Sequence, residues 1–132
     1  MKKIIIDTNF LMIPFQFKID IFSEIEKIVL EPYSLYIVDK TIDELNKIIN
    51  EQKGKDKTYA KMATTFIKLN KIKIINSNDE NTKDNYVDDI IVKIVDKDYI
   101  VCTQDKELKK RVKEKKAKII EMKQRNHLVI NN

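Results

Sequence analysis

The stretch Lys3-Ile4-Ile5-Ile6-Asp7-Thr8-Asn9 decides how the rest of the chain is read. Three consecutive β-branched residues suit a short strand buried on both faces, as in the interior of a parallel sheet. That strand ends directly on an acid, followed by two small polar residues. The segments that follow repeat the pattern of a short apolar strand and then a helix. Ser34–Val38, Ile72–Ile75, Tyr99–Thr103 and Lys118–Ile120 read as further strands.

Between them lie apolar stripes at helical spacing. Ile19–Leu30 carries Phe22, Ile25 and Val29 and is closed by Pro32, after a loop containing Pro14. Thr41 to about Asn50 carries Ile42, Leu45, Ile48 and Ile49, and Thr58 to Asn70 carries Tyr59, Met62, Ala63, Phe66 and Leu69. Val87–Asp96 has Ile90, Ile91, Ile94 and Val95 inward, and Lys106–Lys116 is a basic helix. Asn76–Asn85 is the longest polar stretch and reads as a mobile loop. Leu128–Ile130 in the tail is a candidate edge strand. Short strands joined by helical crossovers favour one parallel sheet with helices on both faces, an α/β fold. The 132 residues match one domain, with no repeat or linker dividing 1–132.

Composition narrows the functional classes. No apolar run approaches the roughly 18 residues of a membrane span. Ile4–Ile6 is too short for a signal peptide. Cys102 is the only cysteine, which leaves neither a disulfide framework nor a thiolate zinc site. A cytoplasmic protein with no membrane partner is expected. The net charge is +5, unevenly spread: Lys106–Arg125 holds ten Lys or Arg against three Glu, an excess of +7 that leaves −2 elsewhere. A basic tract beside an acid-rich body fits a protein that grips a polyanion; a solvated helix without a partner is the plain alternative.

Ligands of such sheets bind at the carboxyl ends of the strands. Asp7 follows the first strand. Glu44 follows the second, in what reads as the opening turn of its helix. Asp88 and Asp89 follow the third through the polar loop, and Asp105 follows the fourth. Each acid has an ordinary explanation. Glu44 fits a capping box with Thr41; Asp88 and Asp105 fit helix N-termini; Asp7 fits an Asx-type turn. Capping does not explain why four strands in succession do the same thing. Converging carboxylates repel unless protonated or neutralised by a cation. With oxygen donors, no Cys cluster and only His127, Mg²⁺ or Mn²⁺ is the expected ion rather than zinc.

These residues also carry a family resemblance along nearly the whole chain. Ile5-Ile6-Asp7-Thr8-Asn9, Asp43-Glu44-Leu45, Val87-Asp88-Asp89-Ile90-Ile91 and Val101-Cys102-Thr103-Gln104-Asp105 resemble, in order, the four motifs of PIN-domain ribonucleases. Asp105-Lys106-Glu107-Leu108-Lys109-Lys110-Arg111, the Asp88-Asp89 pair and the Pro14-Phe15-Gln16-Phe17 loop look most like the archaeal and eukaryotic branch related to small-subunit rRNA-processing nucleases. Toxin ribonucleases of the VapC type share the fold and the acids. The resemblance implies a five-stranded parallel sheet in 3-2-1-4-5 order, a metal-dependent endoribonuclease and RNA as substrate. A homodimer is expected from it, with a ribosomal precursor particle or an antitoxin as further partner.

On this reading Asp7, Asp89 and Asp105 hold the metal, and Glu44 orients or deprotonates the attacking water. Asp89 takes the third-motif role because Ile90-Ile91-Val92 follows it in register, leaving Asp88 beside it. Thr103 and Asn9 are expected to hydrogen-bond the ligating carboxylates. Glu107 is an outer ligand or a simple ion-pair partner. Lys109, Lys110 and Arg111 are expected to hold flanking phosphates. Tyr86 either stacks on a base or packs in the core. His127 is given no role, and Lys123–Arg125 is an RNA contact or a solvated cluster. Two rivals stand against the enzyme. A binding module of the same fold would have lost turnover, although all four acids are present. A phosphoryl-accepting receiver domain needs an acidic pair after the first strand and a Lys after the fifth, where this chain has one Asp and Glu121-Met122.

Overall fold

The computed structural model describes residues 1–77 and 86–131. Its sheet has β1 (Lys2–Ile6) at the centre, flanked in parallel by β2 (Tyr33–Val38) and β4 (Tyr99–Cys102). β3 (Lys73–Ile75) extends the β2 side and β5 (Lys118–Lys123) the β4 side, both parallel. The expected order 3-2-1-4-5 is therefore present. β6 (His127–Asn131) adds an antiparallel strand outside β5, longer than the Leu128–Ile130 segment anticipated.

The turn into β6 explains the difference. Asn126 N–H donates to the Lys123 carbonyl, and both central residues, Gln124 and Arg125, have positive φ. Such turns match the strand twist but are usually marked in sequence by Asn-Gly or Asp-Gly. Gln-Arg carries no such mark.

Alternation along the strands sorts side chains onto two cores. On one face Ile4, Ile6, Ile37, Ile100, Cys102 and Ile120 belong to the larger core. It includes α2 (Ile21–Ile28), α3 (Asp39–Glu51) and α4 (Lys55–Leu69) through Ile21, Ile25, Leu45, Ala60 and Ala63. On the other face Ile5, Val38, Val101 and Ile119 meet α5 (Val87–Ile94) and α6 (Lys106–Glu114) through Val87, Ile91, Leu108 and Val112. Ile5 can serve the second core while its neighbours serve the first only because β1 is covered on both sides.

The Pro14 loop is helical instead. A 3-10 turn at Asn9–Met12 runs into α1 (Ile13–Phe17), with Pro14 in the first turn, where its missing N–H is no loss. Lys18, at φ 56°, ends it. This short helix buries Phe10, Leu11, Met12 and Ile13 directly after Asp7 and fixes the direction in which the chain leaves the sheet. α3 also differs from expectation. It begins at Asp39, immediately after β2, so Glu44 lies in its second turn rather than its first. The anticipated loop Asn76–Asn85 falls, from residue 78 onward, outside the described residues.

Candidate active site

Asp7 leaves the central strand at its carboxyl end, and its N–H still donates to the Cys102 carbonyl of β4 (3.0 Å). The residue is 6% exposed. Its carboxylate is held at both oxygens: Thr8 N–H donates to Oδ1 (2.9 Å) and the Thr103 hydroxyl to Oδ2 (2.9 Å). Thr103 is wholly buried after β4, and its Oγ1 also accepts from Asp105 N–H (3.1 Å). One buried hydroxyl thus links two of the acids. Asn9 lines the same cavity without taking part in this clamp.

Glu44 projects from α3 toward Asp7, where Thr8 Oγ1 donates to its Oε1 (2.5 Å). The expected capping box is not formed. Thr41 is buried inside α3, with its hydroxyl 3.3 Å from that of Thr8. With the helix starting at Asp39, neither Thr41 nor Glu44 is at the cap. The acid that directly follows β2 is Asp39, which instead accepts from Lys40 N–H and from the Ser77 hydroxyl. Asp105 does cap its helix, Oδ1 accepting from Leu108 N–H (2.8 Å), and it lines the cavity as well.

These side chains surround a cavity of about 310 Å³ bordered by Asp7, Thr8, Glu44, Lys47, Asp88 and Asp105. The third motif differs from expectation. Asp88 faces the cavity, whereas Asp89 is turned away and pairs with Arg111 (2.9 Å). Adjacent helical residues point about 100° apart, so only one of the two can face the acids. The apolar run after the pair does not reveal which.

The electrostatics follow the geometry. Burial pushes the Asp7 carboxyl up to about 6 despite the Thr103 and Thr8 hydrogen bonds, with Asp88 and Glu44 adding repulsion. Glu44 is also raised, first by burial and then by Asp88, while its Thr8 bond and Lys47 oppose the shift. Asp88 is raised by burial and by the charges of Asp105 and Asp89, with Arg111 opposing. Asp88 thus repels acids contributed by three other elements, as expected of a charge at the centre of the group.

The donor set suits a hard cation. Asp7, Glu44, Asp88 and Asp105 offer carboxylate oxygens around open space, and burial penalises the Asp7 charge that a cation would neutralise. Among the described residues no three Asp, Glu, His or Cys side chains are gathered into a ready-made cage. A ring of this kind fits an ion that keeps several of its waters, as Mg²⁺ does. Asp7 and Asp105, expected as ligands, border the cavity and could hold such an ion, as could Asp88; Asp89, the expected third ligand, does not border it, and Glu107 is exposed on the first turn of α6 outside the cavity.

The expected phosphate contacts are differently disposed. Lys109 is half-buried and pairs with Glu121 (3.3 Å), and Arg111 is engaged by Asp89. Lys110 is exposed, and none of the three borders the cavity. Among the described residues the cation that does border it is Lys47, on α3, a residue that nothing in its sequence surroundings singled out. Tyr86 is no core residue: it stands 63% exposed at the rim. Cys102 is buried beneath the site, and desolvation raises its thiol further from ionisation, so it is no nucleophile. His127 sits in β6 beside Asn126. No helix among the described residues is long and apolar enough to cross a membrane.

Comparison with known proteins finds likeness at three levels, to a family, to a relative and to a solved structure. The profile of the PIN-like domain family matches residues 4–125. Ribonuclease VapC4 of Methanocaldococcus jannaschii is 30% identical over 134 residues, covering 98% of this chain and 97% of that protein. The solved structure of the PIN domain endonuclease Utp24 superposes with a TM-score of 0.79 at 26% identity, covering 98% of this chain and 90% of that one.

Proposed function

Because the chain belongs to the PIN-like domain family, we propose that it is a metal-dependent endoribonuclease whose active site is the cavity around Asp7. One observation carries this reading: Asp7, Glu44, Asp88 and Asp105, from four separate elements, border one open cavity at the carboxyl edge of the sheet. The full-length likenesses to a ribonuclease and to an endonuclease support it.

Asp7, Asp88 and Asp105 are the side chains that would hold Mg²⁺ or Mn²⁺, directly or through water. The ion supplies a lowered pKa for bound water and neutralises charge developing on the phosphate oxygens. The chain's own residues do the rest. Thr103 and the Thr8 amide fix the Asp7 rotamer, and the cap to Leu108 fixes Asp105, so the acids need little reorganisation when substrate arrives. Thr8 holds one oxygen of Glu44, and its raised pKa makes Glu44 a stronger base, suited to accept a proton from the attacking water. Attack by water rather than by the 2′-hydroxyl leaves a 5′-phosphate and a 3′-hydroxyl.

The proposed substrate is precursor ribosomal RNA, on the likeness of the Asp105–Arg111 stretch to rRNA-processing nucleases. The full-length match to Ribonuclease VapC4 favours a second reading, a toxin ribonuclease with an antitoxin partner. A cytoplasmic homodimer belongs to either reading and would be measured by sedimentation equilibrium. The activity is tested by incubating structured and single-stranded RNAs with Mn²⁺, Mg²⁺ or EDTA and analysing the ends. Metal-dependent internal cuts bearing 5′-phosphates are expected, whereas 2′,3′-cyclic phosphates would exclude hydrolysis by water. Growth arrest on expression, relieved by a neighbouring gene, would select the toxin reading.

A further inference from the structure

A second cavity of about 280 Å³ adjoins the acid site on its α3 side, bordered by Lys40, Asp43, Glu44, Lys47 and Tyr86. Lys47, Glu44 and Tyr86 border both spaces, so the two lie side by side. Lys40, Glu44 and Lys47 follow an i, i+4, i+7 spacing, which puts them on one face of α3. The lysines therefore stand about 10 Å apart along the helix with the acid between them. Asp43 lies 3.7 Å from Lys40 but is largely exposed, a weak contact that leaves the lysine available to a stronger anion.

We propose that a single-stranded polynucleotide lies along α3, with Lys40 and Lys47 holding phosphates on either side of the one at the acid site and Tyr86 stacking on an unpaired base. The inference rests on the nuclease reading and moves the nucleic-acid path from α6, where Lys109 and Arg111 are already engaged by Glu121 and Asp89, to α3. An acid-lined cavity repels phosphate, so substrate must be held from its margins, and Lys47 is a cation at that margin. Tyr86 supports an unpaired strand in particular. The residue is 63% exposed beside the cavity, and a base buried in a duplex has no free face to stack on it.

The test is fluorescence anisotropy with a labelled 12-nucleotide single-stranded RNA in EDTA, so that binding is read without turnover. Lys40→Ala/Lys47→Ala should weaken binding about tenfold and reduce the slope of log affinity against log salt by roughly 1.4, two phosphate contacts at about 0.7 each. Tyr86→Ala should weaken it about tenfold, and Tyr86→Phe should bind as wild type. Wild-type affinity and slope in the double lysine variant, or wild-type affinity in Tyr86→Ala, would overturn the proposal. So would a loss confined to Lys109→Ala/Lys110→Ala. Failure of the underlying reading looks different: the wild type would then cut no RNA with Mn²⁺. Cutting by the wild type with unaffected α3 variants defeats this inference alone.

Discussion

At the residue scale, the candidate site turns on one pair of neighbours: Asp88 borders the cavity, and Asp89 pairs with Arg111. Asp7 and Asp105 follow their strands by one and three residues, so their position at the sheet edge is set by topology. Asp88 and Asp89 are neighbours on one helix, and choosing between them requires the rotation of α5 against β1, which Val87 and Ile91 determine by packing. Thr8 is a similar case: its grip on Glu44 joins residues 36 apart. Asp88→Asn should therefore lower the cleavage rate a hundredfold or more, as loss of a charge-stabilising group does. Asp89→Asn, which only frees Arg111, should stay within a few fold. The opposite ranking in single-turnover assays would return the role to Asp89. Asp7 allows a stability prediction too. Its carboxyl is raised from 3.8 to about 6 by burial, so the folded state favours the protonated form. The cost of the buried charge is absent below the unfolded pKa and fully present above the folded one, at about 3 kcal/mol. In metal-free buffer Asp7→Asn should then be more stable than wild type by about 2 kcal/mol at pH 7.5, with the gap closing as pH falls through 6 toward 4. A gap independent of pH would show that Asp7 is not the group responsible.

At the element scale, the strands and most helices were readable because their apolar periods are unambiguous. The boundaries that were not readable are those set by side-chain contacts or unmarked turns. α3 begins two residues before the Thr41 start suggested by the capping pattern, because Thr41 is drawn into the interior against Thr8. The β5–β6 hairpin lacked a signal because Gln124 and Arg125 occupy positive-φ positions usually held by Asn and Gly. That conformation costs an ordinary L-residue roughly 1–2 kcal/mol. Replacing Gln124-Arg125 with Asn-Gly should therefore stabilise the fold by about 1 kcal/mol in urea denaturation, without altering cleavage, since β6 is the far edge of the sheet. A destabilised hairpin variant would contradict the turn geometry.

At the scale of the whole molecule, the organising feature is a separation of charge. The chain is net +5, yet its carboxylates converge where the parallel strands end. That separation was legible in outline, from the basic tract and the acids after successive strands. Its detail was not, because the ion pairs of Lys109 and Arg111 and the position of Lys47 at the cavity are set by tertiary contacts. Convergence of acids without a cation is destabilising, so a divalent ion should raise the melting temperature, and more at pH 7.5 than at pH 5.5, where protons compete for Asp7. The Asp7→Asn variant should lose most of that response; an undiminished shift would locate the ion elsewhere.

The most direct test of the central claim is cleavage of one labelled RNA by wild type and Asp7→Asn, side by side, with Mn²⁺ and with EDTA, after circular dichroism has shown both to be folded. The account predicts internal cutting by the wild type with Mn²⁺, none with EDTA and none by the variant under either condition. Metal-dependent cutting by Asp7→Asn at the wild-type rate would contradict it, because the proposed centre is built around the Asp7 carboxylate.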